Sequence, residues 1–244
     1  MENIFLFIAT LLAYFTKGIT VFGNTLVMGS LFSFVVQNRI TTPVDLILGI
    51  PTNIYIVWRE RKNISLKVVI PLSLMLLVGI IPGTFLLKVG SDWILKSILG
   101  IVVLGMALEM LTRKPIEDEA KKNNPIFLVI IGVISGVLAG LYGIGALLVT
   151  YVSRTTTNKN QFRANICCVF LVDNIFRFFL YLSTGILNKE IFIYALFLSQ
   201  AAILGMIIGI KVDSNIKEET LKKMVIALLI ISGIALFLKS FLNN

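Results

Sequence analysis

The chain has 244 residues, 57% of them hydrophobic and 14% charged, with a mean hydropathy of +0.93; soluble domains carry about 25% charged residues, so its main solvent is lipid. The net charge of +9 at pH 7 arises from 22 Lys+Arg against 13 Asp+Glu, and in an apolar chain this excess marks membrane orientation rather than nucleic-acid binding. With no histidine, and with its cysteines adjacent at Cys167 and Cys168, the chain lacks the commonest proton shuttle, the commonest metal ligand, CxxC spacing and a disulfide framework, and neither metal nor cofactor is expected.

A bilayer-crossing helix needs about 20 apolar residues. Met1-Glu2-Asn3 has no basic leader and runs straight into apolar sequence, so no cleavable signal is expected. The predicted segments are 3–36, 43–58, 66–87, 93–112, 126–153, 164–185, 191–210 and 221–241. The charged stretch from Thr112 to Asn124 sits near the midpoint. It divides the chain into an N-terminal transmembrane repeat (1–112), a cytoplasmic linker (113–124) and a C-terminal transmembrane repeat (125–244). The expected fold is therefore an all-α polytopic membrane protein.

Two segments are irregular. Segment 3–36 is too long for one span and is interrupted at Thr16-Lys17-Gly18 and at Gly23-Asn24-Thr25. Segment 126–153 contains Gly132, Gly136, Gly140, Gly143 and Gly145. Four-residue glycine spacing suits close helix packing, whereas the tighter 140–145 cluster predicts a break. Broken backbone at membrane depth is tolerated only inside protein or beside a cavity. Pro51, Pro71 and Pro82 fall within segments and predict kinks.

The irregular segments also match each other. Residues 18–27 align without gaps on 140–149, keeping two glycines and the final Leu-Val. Further on, Thr52-Asn53-Ile54-Tyr55 parallels Asp173-Asn174-Ile175-Phe176, Lys88-Val89 parallels Lys211-Val212, and Leu95-Lys96 parallels Leu221-Lys222. The shared order predicts an internal duplication, and paired Gly-interrupted segments point to a transporter binding site. Eight simple spans would place ten basic loop residues on each side of the membrane. Making 126–153 a re-entrant hairpin changes the tally to fifteen inside against five outside, as the positive-inside rule requires. Treating 3–36 in the same way gives two inverted repeats of about four segments. The first segment of each is broken or re-entrant, the basic loops are cytoplasmic and both termini lie outside.

Ionisable groups inside a membrane cost roughly 2.5–3.5 kcal/mol on insertion scales and are functional suspects. Lys17 precedes the first break, and Arg177 lies four residues after Asp173 on one helical face. Two readings stand: mutual neutralisation, or an anion-attracting Arg177 with Asp173 and Lys17 as coupling candidates. Asp45 is expected near a helix start as a cap. Asn53 and Asn174 occupy equivalent repeat positions and either line one cavity or bond between helices. Thr20, Asn24, Thr25 and Tyr142 lie within the breaks, where half-helix N-termini would each present about half a positive charge to a small anion. Cys167-Cys168 reads as a small buried hydrophobe or, alternatively, as a thiol relay.

The chain resembles the sulfite exporter TauE/SafE family. The resemblance rests on Ile80-Ile-Pro-Gly-Thr-Phe-Leu-Leu87, Leu95-Lys96 with the helix ending Met106-Ala-Leu-Glu-Met110, the stretch Gly132 to Gly145, and Tyr181-Leu-Ser-Thr-Gly185. Consecutive glycines followed by proline, usual in the family's first signature, are replaced by Phe22-Gly23-Asn24-Thr25-Leu26, and the second signature reads Gly143-Ile144-Gly145-Ala146. The resemblance implies secondary transport of small sulfur-containing anions such as sulfite, sulfonates or thiosulfate across a prokaryotic inner or plasma membrane, with coupling to an ion gradient, either proton or sodium. By motif position it implies Gly18, Gly23, Asn24, Thr25, Gly140, Tyr142, Gly143 and Gly145 as substrate-binding residues; Thr20, Asn53, Asn174 and Arg177 are added from the breaks, the repeat and the buried charge. Expected partners are the anion, the coupling ion and the bilayer, without nucleic acid; a homo-oligomer stays open. An anion channel or a structural subunit of a membrane complex is the alternative. An enzyme is disfavoured by the missing histidine and the few acidic groups within spans, and without a Walker motif the chain cannot itself use ATP.

Overall fold

The computed structural model describes residues 2–112, 125–145 and 159–212, and isolated positions 148, 149, 152, 156 and 230. The linker 113–124 and the segment 221–241, apart from that one position, lie outside the described residues. The helices are α1 (Glu2–Thr20), α2 (Asn24–Phe32), α3 (Asn38–Glu60), α4 (Leu66–Val89), α5 (Asp92–Thr112), α6 (Pro125–Tyr142), α7 (Lys159–Ser183) and α8 (Lys189–Val212). A 3₁₀ turn over Arg61–Asn63 precedes α4, and no strand occurs among the described residues. Five helices, α1, α3, α4, α7 and α8, are long and apolar enough to cross a membrane.

The distribution of side chains is that of a lipid-solvated protein. Leu196 is 75% exposed, Phe179 64% and Trp58 63%, while Lys17, Asp45, Asp173 and Arg177 are all exposed by 6% or less. In water the opposite arrangement is the stable one; in hydrocarbon, charge must be turned inward and paired. The helices also carry charge suited to their dipoles: Glu2 and Glu190 lie in the first turns of α1 and α8, and Lys17 and Lys211 in their last.

The chain divides into two compact units that cut across the sequence halves: Met1–Asp45 with Val89–Lys114 and Lys189–Asn244, and Leu46–Lys88 with Pro115–Asn188. In the first unit α1 packs along α8 and against α2, and α2 touches α5. The α1–α8 crossing is backbone on backbone: a Cβ on Gly18 would lie 2.6 Å from the Met206 carbonyl oxygen, and one on Gly209 would lie 2.9 Å from Gly18 Cα. In the second unit α4 and α6 cross in the same manner. A Cβ on Gly79 would lie 2.8 Å from Gly136 Cα, and one on Gly140 would lie 2.8 Å from the Thr84 nitrogen. Small residues that let backbones approach are the main device for packing helices in lipid, where no hydrophobic force drives them together.

Three expectations change. The helix is not interrupted at Thr16-Lys17-Gly18: α1 continues to Thr20, because Gly18 is occupied by close packing against α8. The break expected over 140–145 is narrowed to 143–145, because Gly140 stays helical within α6, packed against α4. Asp45 is not a cap; it is the eighth residue of α3 and is surrounded by partners from other helices. The prolines Pro71 and Pro82 lie inside an α4 that runs without interruption. Cys167 is fully buried on α7, Cys168 only partly.

Candidate functional site

In the first unit the polypeptide leaves helical geometry at Val21–Gly23. Val21, with φ 72°, and Gly23, with φ 90°, both take left-handed conformations, the second at little steric cost because glycine has no Cβ. Thr20 braces the turn by donating its hydroxyl to the Thr16 carbonyl at 2.8 Å and to that of Phe22. Gly23 then stands at the N-cap of α2 without any side-chain cap. The first N–H groups of a helix have no partner within it, so α2 presents its positive end at the break. Its nine residues span about 13 Å at 1.5 Å rise, far short of the ~30 Å hydrocarbon layer.

The first two side chains of α2 point to a carboxylate. Asn24 donates its amide to Asp45 Oδ1 at 2.8 Å, and Thr25 donates its hydroxyl to Oδ2 at 2.6 Å. From α1, the Tyr14 hydroxyl donates to Oδ1 at 3.0 Å. Lys17, one turn further along α1 and buried, holds its ammonium 5.7 Å from the centroid of the Tyr14 ring. Sequence reasoning missed Asp45 and Tyr14 as site members: 31 residues separate them, and no local spacing announces such a pair.

The second unit contains the other break. α6 stops at Tyr142, and Gly143 is left-handed with φ 73°. The gapless alignment pairs Gly143 with Val21, so the same backbone twist falls on equivalent residues of the two matched segments. Gly145 lies against the ring of Phe170 on α7, and Tyr142 is buried at the helix end. Arg177 is locked: Nε donates to Asp173 Oδ1 at 2.8 Å, and Nη2 donates to Asp173 Oδ2 at 2.7 Å and to Asn174 Oδ1 at 2.8 Å. Its Nη1 donates to the Ala139 carbonyl at 3.0 Å, and one turn along α7 Tyr181 donates its hydroxyl to the Gly140 carbonyl at 2.7 Å. A cation and a hydroxyl thus satisfy the carbonyl end of the broken helix, where the dipole is negative. The Asp173–Arg177 spacing thus closes as a buried bidentate pair.

Asn53 and Asn174 both belong to this unit. The Asn174 amide sits over Gly49, whose added Cβ would meet Nδ2 at 3.0 Å, and Gly49 is one helical turn before Asn53 on α3. Asn53 is 2% exposed, and its Oδ1 is a buried acceptor without a donor. The sequence-derived residues therefore fall into two groups. Lys17, Gly18, Thr20, Gly23, Asn24 and Thr25 lie in the first unit; Asn53, Gly140, Tyr142, Gly143, Gly145, Asp173, Asn174 and Arg177 lie in the second. No group of three or more metal-ligating side chains occurs among the described residues.

Apolar helices long enough to span a bilayer, buried charges and two helix breaks define a polytopic helical membrane protein. Residues 6–236 match the family model described as sulfite exporter TauE/SafE, and the chain belongs to that family. Membership suggests a membrane transporter of sulfur anions and implies a small anionic substrate and a lipid bilayer. Comparison with curated proteins and with solved structures gives no match.

Proposed function

We propose that the chain is a secondary transporter that moves small sulfur-containing anions, such as sulfite, sulfonates or thiosulfate, by alternating access of two inverted repeats. The repeats are 1–112 and 125–244, joined by a cytoplasmic linker, in an inner or plasma membrane. The observation that carries the reading is the uncapped start of α2, where left-handed Gly23 leaves first-turn N–H groups beside the side chains of Asn24 and Thr25. Helix starts of this kind favour anions, and discontinuous helices of transporters use them so.

The matched backbone twist at Val21 and Gly143 supports a duplicated break, one per repeat. Gly18 and Gly140 act by letting a neighbouring helix approach; Gly23, Gly143 and Gly145 shape the breaks. Asn53 from the first repeat and Asn174 from the second both add polar groups to the second unit, and the unsatisfied Asn53 Oδ1 is suited to a donor on the substrate or its water. Arg177 and Asp173 act as a scaffold that holds the carbonyl end of α6, so positive potential reaches the site from helix dipoles more than from a free guanidinium.

The test is uptake into proteoliposomes of radiolabelled sulfite, thiosulfate, a sulfonate and a simple carboxylate. Saturable uptake of one or more sulfur anions, weakened at least tenfold by Thr25→Val combined with Asn24→Leu, is the expected result; a tenfold loss corresponds to about 1.4 kcal/mol of lost binding. Non-saturating flux would instead indicate a channel, and the absence of flux for every sulfur anion would remove the transport reading.

A further inference from the structure

The buried carboxylate of Asp45 has a use that binding an anion at α2 does not by itself require. It is 6% exposed, and its carboxylate oxygens accept from neutral donors: the Tyr14 hydroxyl, the Asn24 amide and the Thr25 hydroxyl. Asp173 is a contrasting case, because a bidentate guanidinium holds it and a proton there would have to displace a covalently tethered cation. Three donors aimed at Asp45 also disfavour a metal cation, since sodium needs oxygen lone pairs directed inward and an N–H turned toward the carboxylate offers none. Two of the three donors belong to the first turn of α2, the same turn whose N–H groups are uncapped. The carboxylate therefore already holds the two side chains that the transport reading assigns to a negative solute.

We propose that Asp45 is a proton-binding site whose protonation lets the transported anion bind beside it at the start of α2. This rests on the transport reading above. A proton taken from water forms an O–H bond at Oδ2; the Thr25 hydroxyl turns from donor to acceptor, and the charge that competes with the solute is removed. Asn24, Thr25 and the helix start are then free to hold the anion, so proton and anion occupy the site together. When the proton leaves, the carboxylate recaptures its donors and the anion is expelled.

The titratable groups that face Asp45 come from α1: Tyr14 directly, and Lys17 behind the Tyr14 ring. α2 carries no ionisable residue, and α8, packed on α1, has its charges at its ends in Lys189, Glu190 and Lys211. On α3 itself the other ionisable residues are Arg39, Tyr55, Arg59 and Glu60.

The experiment uses the full chain in vesicles, with thiosulfate as probe because that ion stays fully ionised at the pH values used. Difference infrared spectra taken on acidification without anion should show a carboxylic C=O stretch in the wild type that is missing in Asp45→Asn. Thiosulfate uptake should accelerate when the thiosulfate side is made acidic, and Asp45→Asn should lose this response to the gradient. Thr25→Val, which keeps the carboxylate but removes one donor to its charged form, should move the pH profile upward by about one unit, in line with a hydrogen bond to a charged group. A band that persists in Asp45→Asn, an undiminished gradient response, or an unshifted Thr25→Val profile overturns the assignment. Wild-type vesicles that move neither thiosulfate nor any other sulfur anion would count against the transport reading, while the infrared band still decides Asp45. If Asp45→Asn fails to fold, the Thr25→Val profile and spectrum decide it.

Discussion

At the scale of single residues, the buried acids Asp45 and Asp173 are held by different chemistry, and the difference predicts how each tolerates change. Arg177 satisfies Asp173, Asn174 and the carbonyl of Ala139 at once, so removing it strands a buried charge and leaves the Ala139 carbonyl with the Gly143 N–H alone. Arg177→Met should destabilise the folded protein by about 3–5 kcal/mol, the usual consequence of breaking a buried pair from one side. Arg177→Met with Asp173→Leu should recover part of that loss, because no unpaired charge remains. Thermal unfolding in detergent checks both, and a double variant no more stable than the single one contradicts the scaffold role. The pair was legible from its four-residue spacing. What it holds was not, since Ala139 lies 38 residues away and only folding brings α6 to α7.

The helices themselves are arranged by glycine contacts, and this can be tested element by element. Gly136 on α6 and Gly209 on α8 each lie at a crossing where an added Cβ would meet partner backbone, whereas nothing stands within 4 Å of a Cβ at Gly105 on α5. Gly136→Leu and Gly209→Leu should therefore lower stability by at least about 1–3 kcal/mol, the range for overpacking, and more where backbone cannot yield. Gly105→Leu should be nearly neutral. Size-exclusion profiles and unfolding midpoints separate the three, and a tolerated Gly136→Leu would show that α4 and α6 are further apart than described. The four-residue spacing of Gly132, Gly136 and Gly140 already indicated a packing face. Gly79 with Gly83, and Gly205 with Gly209, carry the same spacing, a signal of the partners that went unread. Spacing identifies a face but not the face it meets.

For the whole molecule, the sequence predicts orientation through its basic loops, and orientation is open to direct labelling. With Cys167 and Cys168 replaced by serine, single cysteines placed at Glu2 and at Asn244 should react with an impermeant maleimide from outside intact cells, and a cysteine at Lys62 should react only after the membrane is opened. A terminus labelled solely after opening contradicts the inverted arrangement. Loss of thiosulfate uptake without loss of folding in Asn24→Leu with Thr25→Val would then place function at the first break.

By itself the sequence determined that the chain dissolves in lipid, where its apolar segments lie, that two of them are loosened by glycine, and that Asp173 and Arg177 share a face. These follow from composition and local period, which act within a few residues of chain. Tertiary structure decided that α1 runs to Thr20, that Gly18 serves packing, and that Asp45, within α3, gathers donors from α1 and α2. Those outcomes depend on which backbones approach closely enough to exclude a side chain and which distant donors a buried charge must recruit once water is gone. No residue's neighbours along the chain carry that information.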